Sequence, residues 1–190
     1  RSIVQQLNPV SGKGHEAKLD GGFWQIMPET LDEWSDEALE QETYRARHEA
    51  QMDTIVVQYG ASIYDNEART YYGFCPNTAI PMHPNFEGRD PIGAIMRGAE
   101  ANDMKVILGG PVMPFPFEEN WSDNIREWSS PRAFDYRLQY LQRYASYKSF
   151  YGYYTPNEPN FPKVHELGFR PEPLLEATIR ELDLIRKEFP

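Results

Sequence analysis

Cysteine occurs once, at Cys75, so no internal disulfide can form, which suits a cytosolic or an exported protein equally. No run of eighteen apolar residues exists, and a helical membrane span is therefore not expected. Basic residues are outnumbered, 19 Lys and Arg against 29 Asp and Glu, and nowhere gather into a run. The resulting net charge of −10, with a pI near 4.9, would repel a phosphate backbone, so nucleic acid is not an expected partner. Histidine is scarce too: His15, His48, His83 and His165 include no close ligand pair, so no metal site and no cofactor are expected. Ser11-Gly12-Lys13-Gly14 lacks the glycine spacing and the preceding strand of a phosphate loop.

What is present is a 190-residue chain, 40% apolar, long enough for one domain with a substantial core. Residues 1–20 are polar and aperiodic and read as an irregular lead-in. From there the pattern alternates. Gly22–Met27 reads as a strand closed by Pro28, and Ser35 caps a helix whose inward stripe is Leu39, Thr43, Ala46 and Ala50. Thr54–Tyr59 is a β-branched strand, apolar on both faces until Gln58, as a parallel strand covered on both sides would be. A long excursion, Ala61 to Arg89, leads to Asp90-Pro91 and a helix with Ile92, Ile95, Met96 and Ala99 inward. Lys105–Gly110 forms a third strand, whose terminal glycines admit a close approach to the backbone. After a loop from Pro111 to Ser129, Ser130-Pro131 starts a helix with Phe134, Leu138, Leu141 and Ala145 on one face. A last helix near Pro171-Glu172-Pro173 carries Leu175, Ile179, Leu182, Ile185 and Phe189. Strands alternating with helices predict an α/β fold with a parallel sheet, four βα units in all.

The fourth strand, beginning at Phe150-Tyr151-Gly152-Tyr153-Tyr154, gives way to Thr155-Pro156-Asn157-Glu158-Pro159. A carboxylate and an amide thus stand at the carboxyl end of a parallel strand, the end where such folds place catalytic groups. Glu158 is the candidate for chemistry, against the simpler role of capping the turn or pairing with an arginine. The strand-end loops would share one rim, rich in aromatics, carboxylates and amides. Such a rim suits a neutral, hydroxyl-rich ligand: aromatic faces cover sugar C–H groups, while Gln, Asn and Glu bind hydroxyls. Packing of the loops onto the body would use the same aromatics. Glycoside hydrolysis needs two carboxyl groups across the scissile bond, and no partner as well placed as Glu158 is evident.

Asn157-Glu158-Pro159 at the end of a fourth strand resembles the acid/base signature of the clan A glycoside hydrolases, which are (β/α)8 barrels of TIM type. More broadly, Gly22–Gln25, Met52–Tyr59, Met104–Gly109 and Ser149–Glu158 resemble a bacterial family of glycoside-hydrolase-like barrels known as domain of unknown function 4434. The likeness covers about residues 21–190. It implies a poly- or oligosaccharide substrate, Glu158 as general acid/base and Asn157 as the partner of the sugar 2-hydroxyl. Gln25, Gln58 and Tyr59 would line the cleft floor, with Trp24, Trp121 and Tyr154 as further substrate contacts. A barrel has eight units and the clan nucleophile closes the seventh strand, so the likeness also implies an amino-terminal half, residues 21–190, without its nucleophile. The remaining half would come from a C-terminal continuation or from self-association. Glycan-degrading enzymes are usually exported, so a periplasmic or secreted location is expected.

Other readings remain on these residues. A sugar-binding barrel would use Glu158 as an acceptor without catalysis. A metal-dependent enzyme acting on a sugar or phosphate ester would draw ligands from His83, His165, Glu158 and aspartates. An open doubly wound sheet would bind a nucleotide, although no strand-to-helix turn carries the glycine fingerprint.

Overall fold

The computed structural model describes residues 20–26, 34–65, 70–112, 121–156, 170 and 172–189. In chain order the elements are β1 (Gly21–Trp24), α1 (Asp36–His48), β2 (Thr54–Val57), β3 (Ala61–Asp65), β4 (Thr70–Gly73) and α2 (Pro91–Ala101). Then come β5 (Lys105–Gly109), α3 (Trp121–Trp128), α4 (Pro131–Tyr144), β6 (Phe150–Tyr154) and α5 (Glu172–Glu188). One sheet runs β1-β2-β5-β6, the order of the chain, and all of its pairings are parallel. The α/β pattern read from the sequence is thus present, with strands at the expected places.

The sheet has two unlike faces, because side chains alternate along a strand and registered partners of a parallel pair share a side. Ile55, Val57, Val106 and Leu108 occupy one face and are fully buried. At about 1.5–3 kcal/mol for each such side chain, this layer is a main source of cohesion. Helices cover it with Leu39 and Ala46 from α1, Ile92, Ile95, Met96 and Ala99 from α2, and Tyr136, Tyr140, Leu141 and Tyr144 from α4. On the opposite face Phe23, Val56, Ile107 and Gly152 stand in register. Phe23 is 62% exposed, and a Cβ built on Gly152 would meet nothing within 4 Å. β2 is therefore covered on one face and only partly on the other, where the sequence predicted cover on both.

That open face is concave. Outer strands of a flat four-stranded sheet lie about 14 Å apart, yet the rings of Phe23 on β1 and Tyr154 on β6 meet edge to face at 5.8 Å. Both strands direct these side chains toward a common axis, as a curling sheet does.

Helix starts follow their sequence signals. Ser35, Asp90 and Ser130 cap α1, α2 and α4, each accepting from the backbone N–H three residues on. Asp90 does more than cap: its carboxylate also accepts from Arg143 at 2.9 Å and from the Tyr144 hydroxyl, tying α2 to α4. Asp90→Ala is expected to cost about 1–2 kcal/mol, as removal of a good cap does, measured by urea unfolding; a loss below 0.3 kcal/mol, a cutoff at about the size of a single exposed ion pair, would contradict it. α1 and α2 touch backbone to side chain at Gly98, where a Cβ would fall 3.0 Å from the Glu40 carbonyl oxygen and against Thr43 Oγ1.

Four further features depart from the sequence reading. The 61–89 excursion contains an antiparallel hairpin, β3 with β4, and a 3-10 turn at Pro84–Phe86. The 111–129 loop contains α3. On α4 the buried face is Ala133, Tyr136, Arg137, Tyr140, Leu141 and Tyr144, so only Leu141 of the expected stripe is fully buried. On α5 the fully buried residues are Leu174, Ala177 and Glu181; Leu175 and Ile179 of the expected stripe are 58% and 49% exposed, whereas its Ile185 and Phe189 do pack against the core. The inward side thus runs Leu174, Ala177, Glu181, Ile185 and Phe189, so the expected stripe meets the core only in its last part. Residues 1–19 of the 1–20 lead-in, and Pro28, lie outside the described residues.

Candidate functional site

Parallel strands bring their carboxyl ends to one rim. Beyond the ladder proper, the Gln58 N–H donates to the Trp24 carbonyl at 2.9 Å, Gly60 to Gly110 at 3.1 Å and Gly110 to Tyr154 at 2.8 Å. These bonds place Gln25, Gln58, Tyr59, Gly110 and Thr155 along one edge. Gln25 is exposed, and Gln58 and Tyr59 are half-buried, with Tyr59 packed against the core. Tyr154 leans over the concave face against Phe23. Trp24 ends β1 on the core side, where it is partly buried. Trp121 opens α3 rather than sitting in a loop. Asn157 and Glu158 lie outside the described residues, as does His165. β6 itself runs to Tyr154, and the chain continues through Thr155 and buried Pro156 into Asn157.

The glycines at the end of β5 do admit a close approach, and what approaches is the protein itself. A Cβ on Gly109 would collide with the carbonyl oxygens of Val57 and Gln58, and one on Gly110 with the Tyr153 hydroxyl. They let β2 and Tyr153 crowd the rim.

Beneath the rim lies a polar network that the sequence reading missed. Arg137 of α4 and Glu181 of α5 are fully buried, and the Arg137 Nε donates to Glu181 Oε1 at 2.7 Å. Arg137 Nη1 donates to the Trp128 carbonyl at 2.9 Å, and the guanidinium lies over the Trp128 ring, 4.6 Å from its centroid. The Tyr153 hydroxyl donates to the same Glu181 oxygen. Burial, then the Glu181 charge, holds the Tyr153 phenol well above its ordinary pKa, so it stays a donor. β6 is in this way clamped to two helices just before the chain reaches Asn157. The signal was available as a charged residue at helical spacing from Leu174 and Ala177, on the face that a core needs.

A second cluster sits behind the hairpin. The Tyr136 hydroxyl donates to the Gly60 carbonyl, accepts from the Phe74 N–H at 3.3 Å and lies 3.5 Å from Cys75 Sγ. Burial pushes the Cys75 thiol up to about 11, so it is a poor nucleophile near neutrality. His83 Nδ1 accepts from the Asn85 N–H, the role of a cap. Among the described residues, no group of three His, Cys, Asp or Glu side chains is placed to hold a metal ion, and no helix is long and apolar enough to cross a membrane.

Between β1 and α1 lies a cavity of about 660 Å³, walled by Trp24, Ile26, Trp34, Leu39 and Met52. Gln25 reaches its edge, and Glu42, Arg45 and Glu49 line it.

No curated protein matches this chain. Among solved structures, it is similar in fold to a protein from Bacteroides thetaiotaomicron described as a putative alpha-L-fucosidase. The TM-score is 0.53 at 16% identity over 74% of this chain, and the chain spans 41% of that protein's length. The model of the family described as domain of unknown function DUF4434 matches residues 19–183, and the chain belongs to that family.

Proposed function

We propose that this chain is half of a (β/α)8 barrel of glycoside-hydrolase type, acting on a poly- or oligosaccharide with Glu158 as general acid/base. Residues 21–190 form that half, and the nucleophile comes from outside it. One observation carries the reading: β6 holds the fourth place in a parallel, concave sheet, and its carboxyl end leads directly into Asn157-Glu158-Pro159. Gln25, Gln58, Tyr59 and Tyr154 gather at that same rim; Trp24, on the core side of β1, supports it from behind, and Trp121 opens the helix that follows β5. The fold likeness to a structure described as a fucosidase supports a sugar substrate without naming the sugar.

In this reading Glu158 protonates the leaving oxygen and later deprotonates water, and Asn157 binds the 2-hydroxyl of the scissile sugar. Gln25 and Gln58 offer donors and acceptors to hydroxyls on the cleft floor, and Tyr154 covers an apolar sugar face. The Arg137–Glu181–Tyr153 clamp fixes the strand that presents Glu158.

The test compares Glu158→Gln with the wild type, both carried in a closed barrel. Turnover of a glycan with a poor leaving group is expected to fall about 10²–10⁴-fold. Aryl glycosides with good leaving groups need less protonation and lose less. Equal turnover in the two proteins would remove Glu158 from the chemistry. A carbohydrate-binding barrel is the second reading, favoured by the exposed ring of Phe23 beside Tyr154 on the concave face. Calorimetry that shows oligosaccharide binding without cleavage, only weakened by Glu158→Ala, would select it.

A further inference from the structure

We propose that the hairpin of β3 and β4 is one wall of the glycan cleft and forms, with Gln25 and Gln58, a subsite for sugar units remote from the bond that is cut. The inference rests on the glycan reading of the rim and deepens it, since it names the element that selects among oligosaccharides. Residues 58–90 join β2 to α2, far more than the about 2–6 residues usual in such a unit, and long ordered connections are commonly functional.

Backbone pairing puts the hairpin on the rim. β3 continues the line of β2 past the end of the sheet: the Val112 N–H donates to the Ala61 carbonyl at 3.0 Å, and Ala61 bridges Pro111 in parallel. With that edge of β3 taken, β4 lies along the other, the β1 side, where the Phe74 N–H donates to the Gly60 carbonyl at 3.0 Å. The hairpin thus stands over the ends of β1 and β2, beside Gln25 and Gln58. At about 3.3 Å per residue, Ala61–Asp65 carries it about 13 Å beyond the rim. Whatever lies over the axis of a barrel is bounded by what rises from its strand ends. A lone hairpin is marginal in water, but this one is built in at its base. The Tyr136 hydroxyl ties Gly60 to Phe74, the Gly73 N–H donates to the Pro81 carbonyl at 2.9 Å, and the Gly73 carbonyl accepts from the His83 N–H at 3.1 Å. Behind them Phe74 and Phe86 are fully buried, their rings edge to face at 5.3 Å. Such a base suits a fixed binding wall.

The chemistry fits a neutral sugar chain. In sequence the arms carry Tyr64, Tyr71 and Tyr72, a residue type that offers a flat apolar face and a hydroxyl together. Tyr72 is half-buried, with its ring edge to face against His83 at 5.3 Å. The neighbouring amides bind hydroxyls, and a chain of net charge −10 repels an anionic glycan. β5 separates β2 from β6, so Gln58 and the hairpin lie two strand spacings, about 10 Å along the sheet, from the strand that leads to Glu158. Units held there are further along the glycan than the pair whose bond Glu158 acts on.

The test is affinity against glycan length, in the closed barrel with Glu158→Gln as the background so that nothing is cut. An array of neutral plant, microbial and animal oligosaccharides finds the series that is captured, and calorimetry follows that series from its shortest member upward. In a second protein an Asn-Gly turn replaces residues 63–71, which keeps the Ser62–Tyr72 pair and every bond at the base named above. With the hairpin intact, affinity is expected to rise with length until the subsite is filled. The trimmed protein should bind the shortest member equally and the longest about tenfold more weakly. The same length dependence in both would overturn the proposal. Hydrogen exchange of the untrimmed protein decides the matter if the trimmed one loses its circular dichroism spectrum: peptides from residues 61–73 should exchange more slowly with the longest captured member bound, and unchanged exchange there overturns the wall. Capture of no oligosaccharide retires the wall and the sugar reading together. Hairpin-dependent binding, alongside turnover that Glu158→Gln does not reduce, supports the wall and retires the Glu158 assignment alone.

Discussion

Glu181→Ala is expected to destabilise the protein by about 3–5 kcal/mol, the size of effect seen when one partner of a buried ion pair is removed. Both side chains of the Arg137–Glu181 pair are 0% exposed, and the bond between them is 2.7 Å. With the carboxylate gone, the guanidinium stays beside the Trp128 and Phe134 rings without the Glu181 charge, and the Tyr153 hydroxyl loses that acceptor. Typical domains have about 5–15 kcal/mol in total, so the variant would sit near the edge of folding. Urea unfolding followed by circular dichroism measures the loss. The double change Arg137→Met with Glu181→Leu separates two origins of that loss. If the penalty is a stranded charge, the double variant recovers most of it, because apolar replacements of similar volume need no partner. If Glu181→Ala costs less than about 1 kcal/mol, the typical upper value for an exposed pair, the network is not the clamp described above.

This network also shows where sequence reading reaches its limit. The bond joins residues 44 positions apart, on helices whose apolar stripes are ambiguous in phase. On α5, Leu175, Ile179 and Leu182 outweigh Leu174, Ala177 and Glu181 on any hydrophobic scale, yet the second set faces the body. Leu175 and Ile179 are left exposed, Leu182 is half-buried, and the expected stripe meets the core only farther on, at Ile185 and Phe189. On α4, three tyrosines on one helix fit either a core or a surface, and only the space behind Gly60 and Gly73 decides: Cβ atoms there would meet the Tyr140 and Tyr136 rings. By contrast, the strands were legible, since β-branched runs such as Thr54–Val57 and Lys105–Gly109 are bounded by glycine or polar residues. The caps at Ser35, Asp90 and Ser130 were legible for a local reason as well, because a cap is satisfied within three residues. The hairpin of β3 and β4 escaped notice because Asp65 and Thr70 are joined without an Asn-Gly or Asp-Gly turn. Part of the candidate site, the rim amides, could be foreseen from strand ends. Its support beneath the rim depends on contacts between distant helices and could not.

Raising the pH is expected to unfold the protein cooperatively, beginning above pH 9 and completing between about 10 and 12. The Cys75 thiol is raised from 9.0 to about 11 by burial, and the phenols of Tyr136, Tyr140, Tyr144 and Tyr153 are all raised well above 10.0, burial being the largest cause in each. A group whose pKa is higher in the folded state gives stability that is complete below its unfolded value and disappears as pH rises through the folded one. Here the unfolded chain releases protons first, so the unfolded state binds fewer and the slope of stability against pH is negative. Each buried phenol that keeps its proton contributes about 1.4 kcal/mol of loss per pH unit above 10, so the four together give about 5 kcal/mol per unit, enough to exhaust a typical domain within one or two units. Phenolate absorbance and helical circular dichroism should therefore change in one step. A smooth phenol titration centred near 10, with helix content intact, would show that these rings are not sealed in the core. Tyr140→Phe sharpens the test, since the Tyr140 hydroxyl is buried without a hydrogen-bond partner among the described residues. Removing it deletes one titrating group and one unsatisfied oxygen at once. The variant should be as stable as the wild type or more so at pH 7, and its alkaline transition should be shallower and lie at higher pH. A transition that instead moved to lower pH would mean that the Tyr140 oxygen holds a bond the fold depends on.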